Sequence, residues 1–420
     1  MSSIEDVESF RIRCRKWIRD NLERLSPEEL TTAWMNGLED DELLAAVDHD
    51  RTLQRMFFDA GFAGICFPRE YGGQGLTPEH QRAFNQELAG YEYPRMFAVP
   101  TGSPCAAIVL EFGTEEQKRR HIPAILKGEE IWAQFLSEPG GGSDVAGAST
   151  TAVRDGDEWI LNGSKVWTSR AWVSDWALCL ARTNWDVPKH RGLSVFILPI
   201  QAQGVDVHRI EELDGARNFC QEFLTDVRVP DTDRIGDVDD GWTVGRRWMF
   251  HERMSGNSPY VTFPVGIRRG GVGGTSLVAP AREAGRLDDP HALDLVGEAR
   301  TLDLVARELE RRLGQAMSSG KMNEHAAAIG RLFSAAAQVR QTTIAFDIGG
   351  TASAIWSDED GATARLGRRY LMRQAPCIGG GTVEIARNVV SERLLGMPRD
   401  PTHDKAIPFR DEPRGPAGRR

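Results

Sequence analysis

Residues 132–176 constrain the fold of this 420-residue chain more than any other stretch. Near their start lies a glycine-rich run at residues 138–144, EPGGGSD. Glycine has no side chain, so a backbone of this composition can approach a ligand closely and direct N–H groups at it. Because a glycine-rich run is also typical of ordinary surface loops, the run alone predicts a loop and only suggests a binding site.

Two hairpin signals follow, Asp155-Gly156 and Asn162-Gly163, since such dipeptides favour the tight turns between antiparallel strands. Between and after them, β-branched and aromatic residues predict three short strands. These strands are residues 150–153, 158–161 and 164–169. Trp167 lies near the end of the third strand. A lone tryptophan is more often a core residue, but after a glycine loop it suggests a platform for a flat aromatic cofactor.

The same stretch carries several motifs in a fixed order. They are SEPG at 137–140, GSDVAG at 142–147, NG at 162–163 and KVWTS at 165–169. In this order and spacing they resemble the flavin-binding middle domain of the acyl-CoA dehydrogenases. The ordered set is far more specific than any one of its members.

Composition narrows the class of protein. Apolar content of 40% and charged content of 27% are ordinary for a soluble globular protein. A net charge of −10 argues against nucleic acid or an acidic membrane as the main partner. The six cysteines include no Cys-x-x-Cys pair, so we expect reduced thiols, no metal site and a cytoplasmic location. The N-terminal residues lack the apolar core of a signal peptide.

The order of elements predicts an α+β protein. We expect an N-terminal helical domain at 1–128, with a capping box from Thr114 to Gln117. A middle β-barrel or sandwich domain follows at 129–236, and then a C-terminal antiparallel helical bundle at 237–397. Its first helix is predicted at 242–265. Residues 398–420 are expected to form a flexible tail. This order resembles the acyl-CoA dehydrogenase architecture over nearly the whole chain.

The resemblance implies that FAD is bound non-covalently and receives a hydride from an acyl-CoA thioester, while a carboxylate removes the neighbouring proton. Carried over by position, Leu136 and Ser137 would contact the flavin ring. Ser143 would lie near the flavin phosphates or the acyl-CoA. Trp167 would pack on the isoalloxazine, and the Ser169 hydroxyl would lie near its N5 atom.

The catalytic base departs from the commonest pattern of the family. Many members carry the catalytic glutamate just before a Gly-Thr pair in a segment resembling 378–387, but Gly380 stands there in this chain. Thr382 and Glu384 in this segment are expected to border the cofactor. Glu252 matches the position of an alternative base on an earlier helix, beside Arg253 as a substrate contact. The competing interpretation is that Glu252 only pairs with a nearby arginine.

The helix geometry of the candidate base gives a further expectation. Trp248 and Ser255 are spaced at i−4 and i+3 from Glu252, so all three should share one helix face and point toward the flavin cavity.

Two weaker resemblances concern the rest of the cofactor. Arg282 is the nearest candidate for an arginine that reaches the flavin pyrophosphate, and Gly350 belongs to a turn that loosely resembles a cofactor-facing Gly-Gly turn. The family also implies electron-transferring flavoprotein as electron acceptor and a homodimer or homotetramer, with a heteromer possible. Two alternatives to an acyl-CoA dehydrogenase stay open: a flavin oxidase on the same fold, and a non-catalytic or half-site subunit of a heteromeric dehydrogenase.

Overall fold

The computed structural model describes residues 4–26, 29, 38–265, 277–355, 362–399 and 406–412. The chain divides into two compact units. The first comprises residues 1–212, 216–267 and 402–420, and the second comprises 213–215 and 268–401. The helix that follows the sheet belongs to the first unit, whereas a domain boundary at 237 would assign it to the C-terminal bundle.

The N-terminal part of the first unit is helical, as predicted. Its helices are α1 Val7–Asn21, α2 Asp40–Asp59, α3 Pro78–Glu87, α4 Ala107–Phe112 and α5 Glu115–Leu126. Helix α5 begins at the predicted capping box: Thr114 Oγ1 accepts the Gln117 N–H at 3.2 Å, and the Gln117 side chain accepts the Thr114 N–H at 2.9 Å. The phenylalanines of α1, α2 and α3 interlock in one core, in which Phe62 stacks on Phe84 at 5.2 Å.

The middle of the chain forms one mixed sheet, which in the described residues has eight strands. They are β1 Trp132–Phe135, β2 Thr151–Asp155, β3 Glu158–Ser169, β4 Trp176–Arg182, β5 Leu193–Pro199, β6 Val205–Arg209, β7 Phe219–Pro230 and β8 Arg234–Ile235. Their order is β6-β7-β3-β2-β4-β5-β8, with β1 paired in parallel to β4. Alternate residues of β4 face opposite cores, because side chains alternate along a strand: Leu178 enters one cluster and Cys179 the other.

The first hairpin prediction is confirmed and the second is wrong. Asp155-Gly156 lies at the turn between β2 and β3, which pair antiparallel. Asn162-Gly163 instead lies inside β3, where the pairing with β7 shifts by a bulge. The reason is a contact across the strands: Asn162 exchanges two hydrogen bonds with Asp226 of β7, at 3.0 and 2.9 Å. A turn at this point would break that pairing.

Helix α6, Gly241–Met254, packs on one face of the sheet. Val244 and Trp248 are fully buried there with residues of β4 and β5. The helix ends eleven residues before the predicted limit at 265 and continues only as a 3₁₀ turn, Ser255–Asn257. Pro259 and Pro264 explain the early end, because proline supplies no N–H for a helical hydrogen bond.

The second unit is helical. Its helices are α7 Val278–Glu283, α8 Pro290–Ser318, α9 Ala327–Gly349, α10 Thr351–Ala354, α11 Ala362–Leu371 and α12 Val383–Val389. Helices α8 and α9 are antiparallel, since Gln341 bonds the Ala299 carbonyl at 3.0 Å near one end while Leu313 lies against Gly330 near the other. In the described ranges, no helix has both the length and the apolar character needed to cross a membrane.

Part of the C-terminal tail is docked on the first unit. Phe409 is 3% exposed and stacks on Trp185 with ring centroids 5.3 Å apart. Its N–H donates to the Val187 carbonyl at 2.9 Å, and Lys189 pairs with Glu412 at 3.1 Å. The expectation of a flexible tail therefore does not describe residues 406–412, because an aromatic anchor with backbone hydrogen bonds holds them.

Candidate active site

Trp167 is presented to the surface by a strained backbone. Its φ is +64°, and its side chain is 59% exposed at a point where the pairing of β3 with β7 shifts between Val166 and Thr168. A positive φ is costly for a bulky residue, and β-bulges serve to re-aim side chains beside functional sites. The ring of Phe219 contacts it edge-on at 6.0 Å. The structure therefore leaves the ring accessible at the position where the sequence predicts a platform.

Leu136 and Ser137 lie beside this platform, directly after β1. The Leu136 carbonyl accepts a hydrogen bond from Lys165 Nζ at 3.3 Å, and the Ser137 carbonyl accepts one from the Val166 N–H at 3.0 Å. These contacts fix the peptide planes of the segment against β3. The structure thus places Leu136 and Ser137 against β3, the strand that carries Trp167 and Ser169.

The glycine loop is held at its base by Glu138. This carboxylate accepts the Ser149 N–H at 2.6 Å, the Thr150 N–H at 2.9 Å and the Lys165 ammonium at 2.8 Å. Burial alone would raise the pKa of Glu138, but the Lys165 charge and these hydrogen bonds outweigh burial and lower it. An ionised Glu138 therefore clamps the loop to the sheet.

The tip of the loop is open. A Cβ placed on Gly140 or Gly142 would meet no other atom within 4 Å, so nothing in this unit's own packing requires glycine there. Close approach of a ligand backbone or phosphate would require it. Ser143 is exposed at the same tip. The open loop and the exposed Trp167 ring together fit a ligand that has a flat ring and an anionic part.

Glu252 lies on α6 one turn after Trp248. Trp248 and Ser255 are buried, at 0% and 5% exposure, and Glu252 on the same face is half-buried. Burial, and after it the Glu252 carboxylate, raise the pKa of the buried Cys105 thiol well above its usual range. Trp248 does not point into an open cavity as predicted, because its ring belongs to the core between α6 and the sheet.

Arg253 and His251 are placed differently from Glu252. Arg253 is exposed, and its Nε donates to the Met249 carbonyl of its own helix at 3.1 Å. His251 is buried with its Nε2 2.7 Å from Glu111, which also binds Arg247. Burial would raise the pKa of Glu111, but Arg247 and His251 outweigh it and lower the pKa. His251 is thus a partner of Glu111.

The predicted site residues of the second unit are arranged within that unit. Thr382 caps α12 by accepting the Ile385 N–H at 3.2 Å. Glu384, 70% exposed, pairs with Arg387 at 3.1 Å. Gly380 has a φ of +71°, and a Cβ added to it would meet no other atom within 4 Å. Arg331 binds the carbonyls of the two neighbouring glycines, 379 and 381.

Arg282 and Gly350 lie at a common end of the second unit. Arg282 is exposed on α7, and Ala281 of this helix and the preceding Leu277 pack with the C-terminal part of α9. Gly350 is the exposed residue that joins α9 to α10, with a φ of +57°.

Three residues to which the sequence assigned no role in the site support the platform. They are Gln134, Lys165 and Glu222, and each contacts a predicted flavin-contact residue or its direct neighbour. One signal was present: Lys165 and Glu222 are charged residues inside strands that otherwise carry many buried apolar residues.

Comparisons with known proteins agree with these features. The family model described as acyl-CoA dehydrogenase, N-terminal domain, matches residues 15–129, and the one described as acyl-CoA dehydrogenase, middle domain, matches residues 133–227. Acyl-CoA dehydrogenase IpdE1 of Mycobacterium tuberculosis is 32% identical over 94% of this chain and 99% of that protein.

Solved structures are similar over almost the whole chain. The structure titled Tcur3481-Tcur3483 steroid ACAD has a TM-score of 0.72 at 25% identity, covering 95% of this chain and 100% of that one. The ChsE4-ChsE5 complex from Mycobacterium tuberculosis has a TM-score of 0.67 at 26% identity, with coverage of 95% and 100%.

Proposed function

Because the chain belongs to the acyl-CoA dehydrogenase family, we propose that it oxidises the α,β bond of an acyl-CoA thioester with FAD, and that Glu252 is the base. The observation that carries the proposal is Trp167, an exposed aromatic ring on a strained bulge beside Leu136 and Ser137. FAD, when bound, supplies a hydride acceptor. Every other task in the reaction falls to side chains and backbone of the protein.

The first task is to hold the cofactor and the substrate. Trp167 would pack on the flavin ring, while Leu136, Ser137 and Ser169 contact its edge. Ser143, at the open tip of the glycine loop, would bind the phosphates of FAD or of the acyl-CoA. The open space at Gly140 and Gly142 supports this role.

The second task is removal of the α-proton. We assign it to the Glu252 carboxylate, which would accept the proton directly and needs to be held in place for this. Its position on α6 is supported by Trp248, whose indole N–H binds Gln134 of β1. Gly380 has no side chain that could compete for the role. Arg253 stays a prediction as a substrate contact, and its exposure gives that assignment less support.

The second unit would supply further cofactor contacts. We propose Arg282 for the pyrophosphate and Gly350, Thr382 and Glu384 for the remaining edge of FAD. The Arg387 partner of Glu384 limits how far that carboxylate can serve as an acceptor.

The six thiols are free of disulfides, which supports a cytoplasmic location.

A second candidate function is a half-site subunit of a heteromeric dehydrogenase. Gly380 favours it, because the commonest base position of the family is empty in this chain. Two similar structures also have titles that name two chains, Tcur3481-Tcur3483 and ChsE4-ChsE5. In this alternative, a partner chain completes the site. A homodimer or homotetramer, with electron-transferring flavoprotein as acceptor, is the arrangement that we propose first.

The visible spectrum of the purified protein tests the proposal. We expect a yellow protein that releases FAD, and not FMN, on denaturation. Anaerobic addition of the right acyl-CoA, from a panel that includes straight-chain, branched and steroid thioesters, should bleach the flavin absorbance. A colourless protein that also fails to bind added FAD, alone and with co-expressed candidate partners, would contradict the proposal. Rapid reoxidation by O₂ would indicate an oxidase instead.

A further inference from the structure

A buried acid lies directly beneath the flavin platform. Glu222 of β7 is 0% exposed, and its Oε2 lies 2.8 Å from Thr168 Oγ1. Its second oxygen, Oε1, is buried and has no hydrogen-bond partner among the described residues. A carboxylate with an unsatisfied buried oxygen is strongly unfavourable when ionised. The surroundings of Glu222 therefore favour the neutral acid.

The nearest cation does not correct this deficit. Lys165 of β3 is paired with Glu222 in the strand register and is itself fully buried. Its ammonium group has three N–H donors, and these are directed at Glu138 at 2.8 Å and at the carbonyls of Leu136 and Leu180, at 3.3 and 2.6 Å. With all three donors used, Lys165 acts on Glu222 only through its charge.

The hydroxyl of Thr168 gives an independent proton count. It lies within hydrogen-bond distance of two oxygens, Glu222 Oε2 at 2.8 Å and the Gln134 carbonyl at 3.2 Å. A hydroxyl has one proton to donate, and a carbonyl can only accept. If Glu222 were ionised, one of the two contacts would lack a proton. If Glu222 is protonated, it donates to Thr168, and Thr168 donates to Gln134.

This short chain of hydrogen bonds reaches both parts of the candidate site. Thr168 lies between Trp167 and Ser169 in the bulge, so its position sets theirs. Gln134 precedes the Leu136–Ser137 segment, and its side chain accepts the indole N–H of Trp248 on the helix of Glu252. One residue, Gln134, therefore receives hydrogen bonds from the bulge and from the helix of the candidate base.

We propose that Glu222 is a positioning residue that acts as a neutral carboxylic acid, donating through Thr168 to Gln134 and thereby fixing the flavin platform. The effect of Glu222 on FAD rests on the proposed function, whereas its protonated state and its hydrogen bonds do not. Burial raises the pKa of Glu222 to about 7, against the opposing effects of the Thr168 hydrogen bond and the Lys165 charge. An ionised Glu222 would add to the effect of burial in raising the pKa of the Cys179 and Cys220 thiols.

The position of Glu222 predicts that the hydrogen bonds supporting the flavin platform change with pH. Above a pH of about 7, Glu222 loses the proton that it donates, and the hydrogen bond to Thr168 must reverse. Thr168 then no longer binds Gln134. We expect FAD to leave the holoprotein faster as the pH rises through this range.

Three variants test the proposal. The quantity measured is the rate at which FAD leaves the holoprotein, which flavin fluorescence monitors at a series of pH values. Glu222→Gln keeps a donor for Thr168 and cannot ionise. Its rate of FAD release should therefore stay low and should not rise near a pH of about 7. Glu222→Leu and Thr168→Val break the chain of hydrogen bonds. Below a pH of about 7 they should release FAD about tenfold faster than wild type, the scale of one lost hydrogen bond, and this difference should shrink above that pH. Glu158→Gln, at a half-buried acid on β3 that pairs with Arg228 at 2.9 Å, is the control and should behave as wild type.

Two results would overturn the proposal: the same pH profile for wild type and Glu222→Gln, or unchanged FAD release in Thr168→Val. A Glu222→Leu variant that fails to fold leaves the other two variants to decide.

If the wild-type chain binds no FAD, the proposed function fails, and denaturant unfolding of the ligand-free chain then tests Glu222 alone. The unfolding free energy of the wild-type chain should decline as the pH rises from the ordinary carboxyl pKa to about 7. The decline should be smaller in Glu222→Gln. Equal slopes would contradict the protonated state.

Discussion

The indole N–H of Trp248 donates a hydrogen bond to the side-chain carbonyl of Gln134, and this bond ties helix α6 to strand β1. Trp248 lies one helical turn before Glu252, and Gln134 lies two residues before Leu136. The candidate base and the candidate flavin contacts are therefore positioned by the same partly buried hydrogen bond. A change at either partner should disturb binding and chemistry together.

Trp248→Phe tests this connection. The variant removes the N–H and keeps an aromatic ring, so the partly buried Gln134 amide oxygen loses its donor. We expect the unfolding free energy to fall by about 1–3 kcal/mol and the rate of flavin reduction by acyl-CoA to fall as well. Denaturant unfolding and anaerobic stopped-flow measure the two effects. Trp242→Phe, on the half-buried side of the same helix, is the control. Equal rates for both variants would argue against a role of the Trp248 bond in catalysis.

Glu252→Gln tests the base directly. The amide keeps the shape of the side chain and cannot accept the α-proton. We expect retained FAD and acyl-CoA binding with flavin reduction slower by about 10²–10⁴, the usual scale for loss of a general base. The matched variant Glu384→Gln should mainly weaken FAD retention. Reduction of Glu252→Gln at the wild-type rate would exclude Glu252 and direct attention to a partner chain.

Trp167→Gly separates stability from cofactor binding. Glycine accepts the positive φ without strain, which offsets its loss of packing and its entropy cost, so the unfolding free energy should stay within about 1 kcal/mol of wild type. FAD retention should fall at least about tenfold, because a stacked ring is lost. Trp159→Ala, at a core tryptophan 4% exposed, should instead cost about 3–5 kcal/mol. A large loss of stability in Trp167→Gly would show that its ring serves the fold.

Asp50 predicts a second pH effect, away from the site. It is 5% exposed and accepts the Met96 N–H at 2.8 Å, and burial raises its pKa from 3.8 to about 7. Between these values the folded chain holds a proton that the unfolded chain releases, so this group makes stability fall as pH rises. Asp50→Asn should remove a slope worth a few kcal/mol across that interval, measured by urea unfolding. A slope unchanged from wild type would mean that Asp50 is ionised when folded.

Sequence patterns predicted the elements whose causes are local. The Thr114 capping box involves residues three apart, and the Asp155-Gly156 turn joins strands that follow each other directly, so both predictions were correct. The ordered glycine and tryptophan motifs likewise identified Leu136, Ser137 and Trp167 as one cluster. By contrast, Asn162-Gly163 carries a turn signature that its partner Asp226 overrides. A local pattern cannot report a partner on another strand.

The same limit applies to the support of the site. Glu222, Thr168 and Gln134 come from three strands, and the contacts between them are set by register and by the bulge in β3. A bulge shifts which face each later residue occupies, and no residue type in β3 marks the shift at Val166. Alternation along β7 does place Glu222 on the same face as buried Cys220 and Leu224, but its contact with Thr168 depends on the bulge in the neighbouring strand.

The docking of residues 406–412 also bears on how the protein is made. Trp185 and Val187 leave the ribosome long before Phe409 does, since domains form from the N-terminal side during synthesis. A chain whose translation has not reached Phe409 must expose the indole face that this residue covers. Completion of the surface around β4 is thus a late event in synthesis, and a nascent chain that has not yet reached Phe409 carries an exposed aromatic patch.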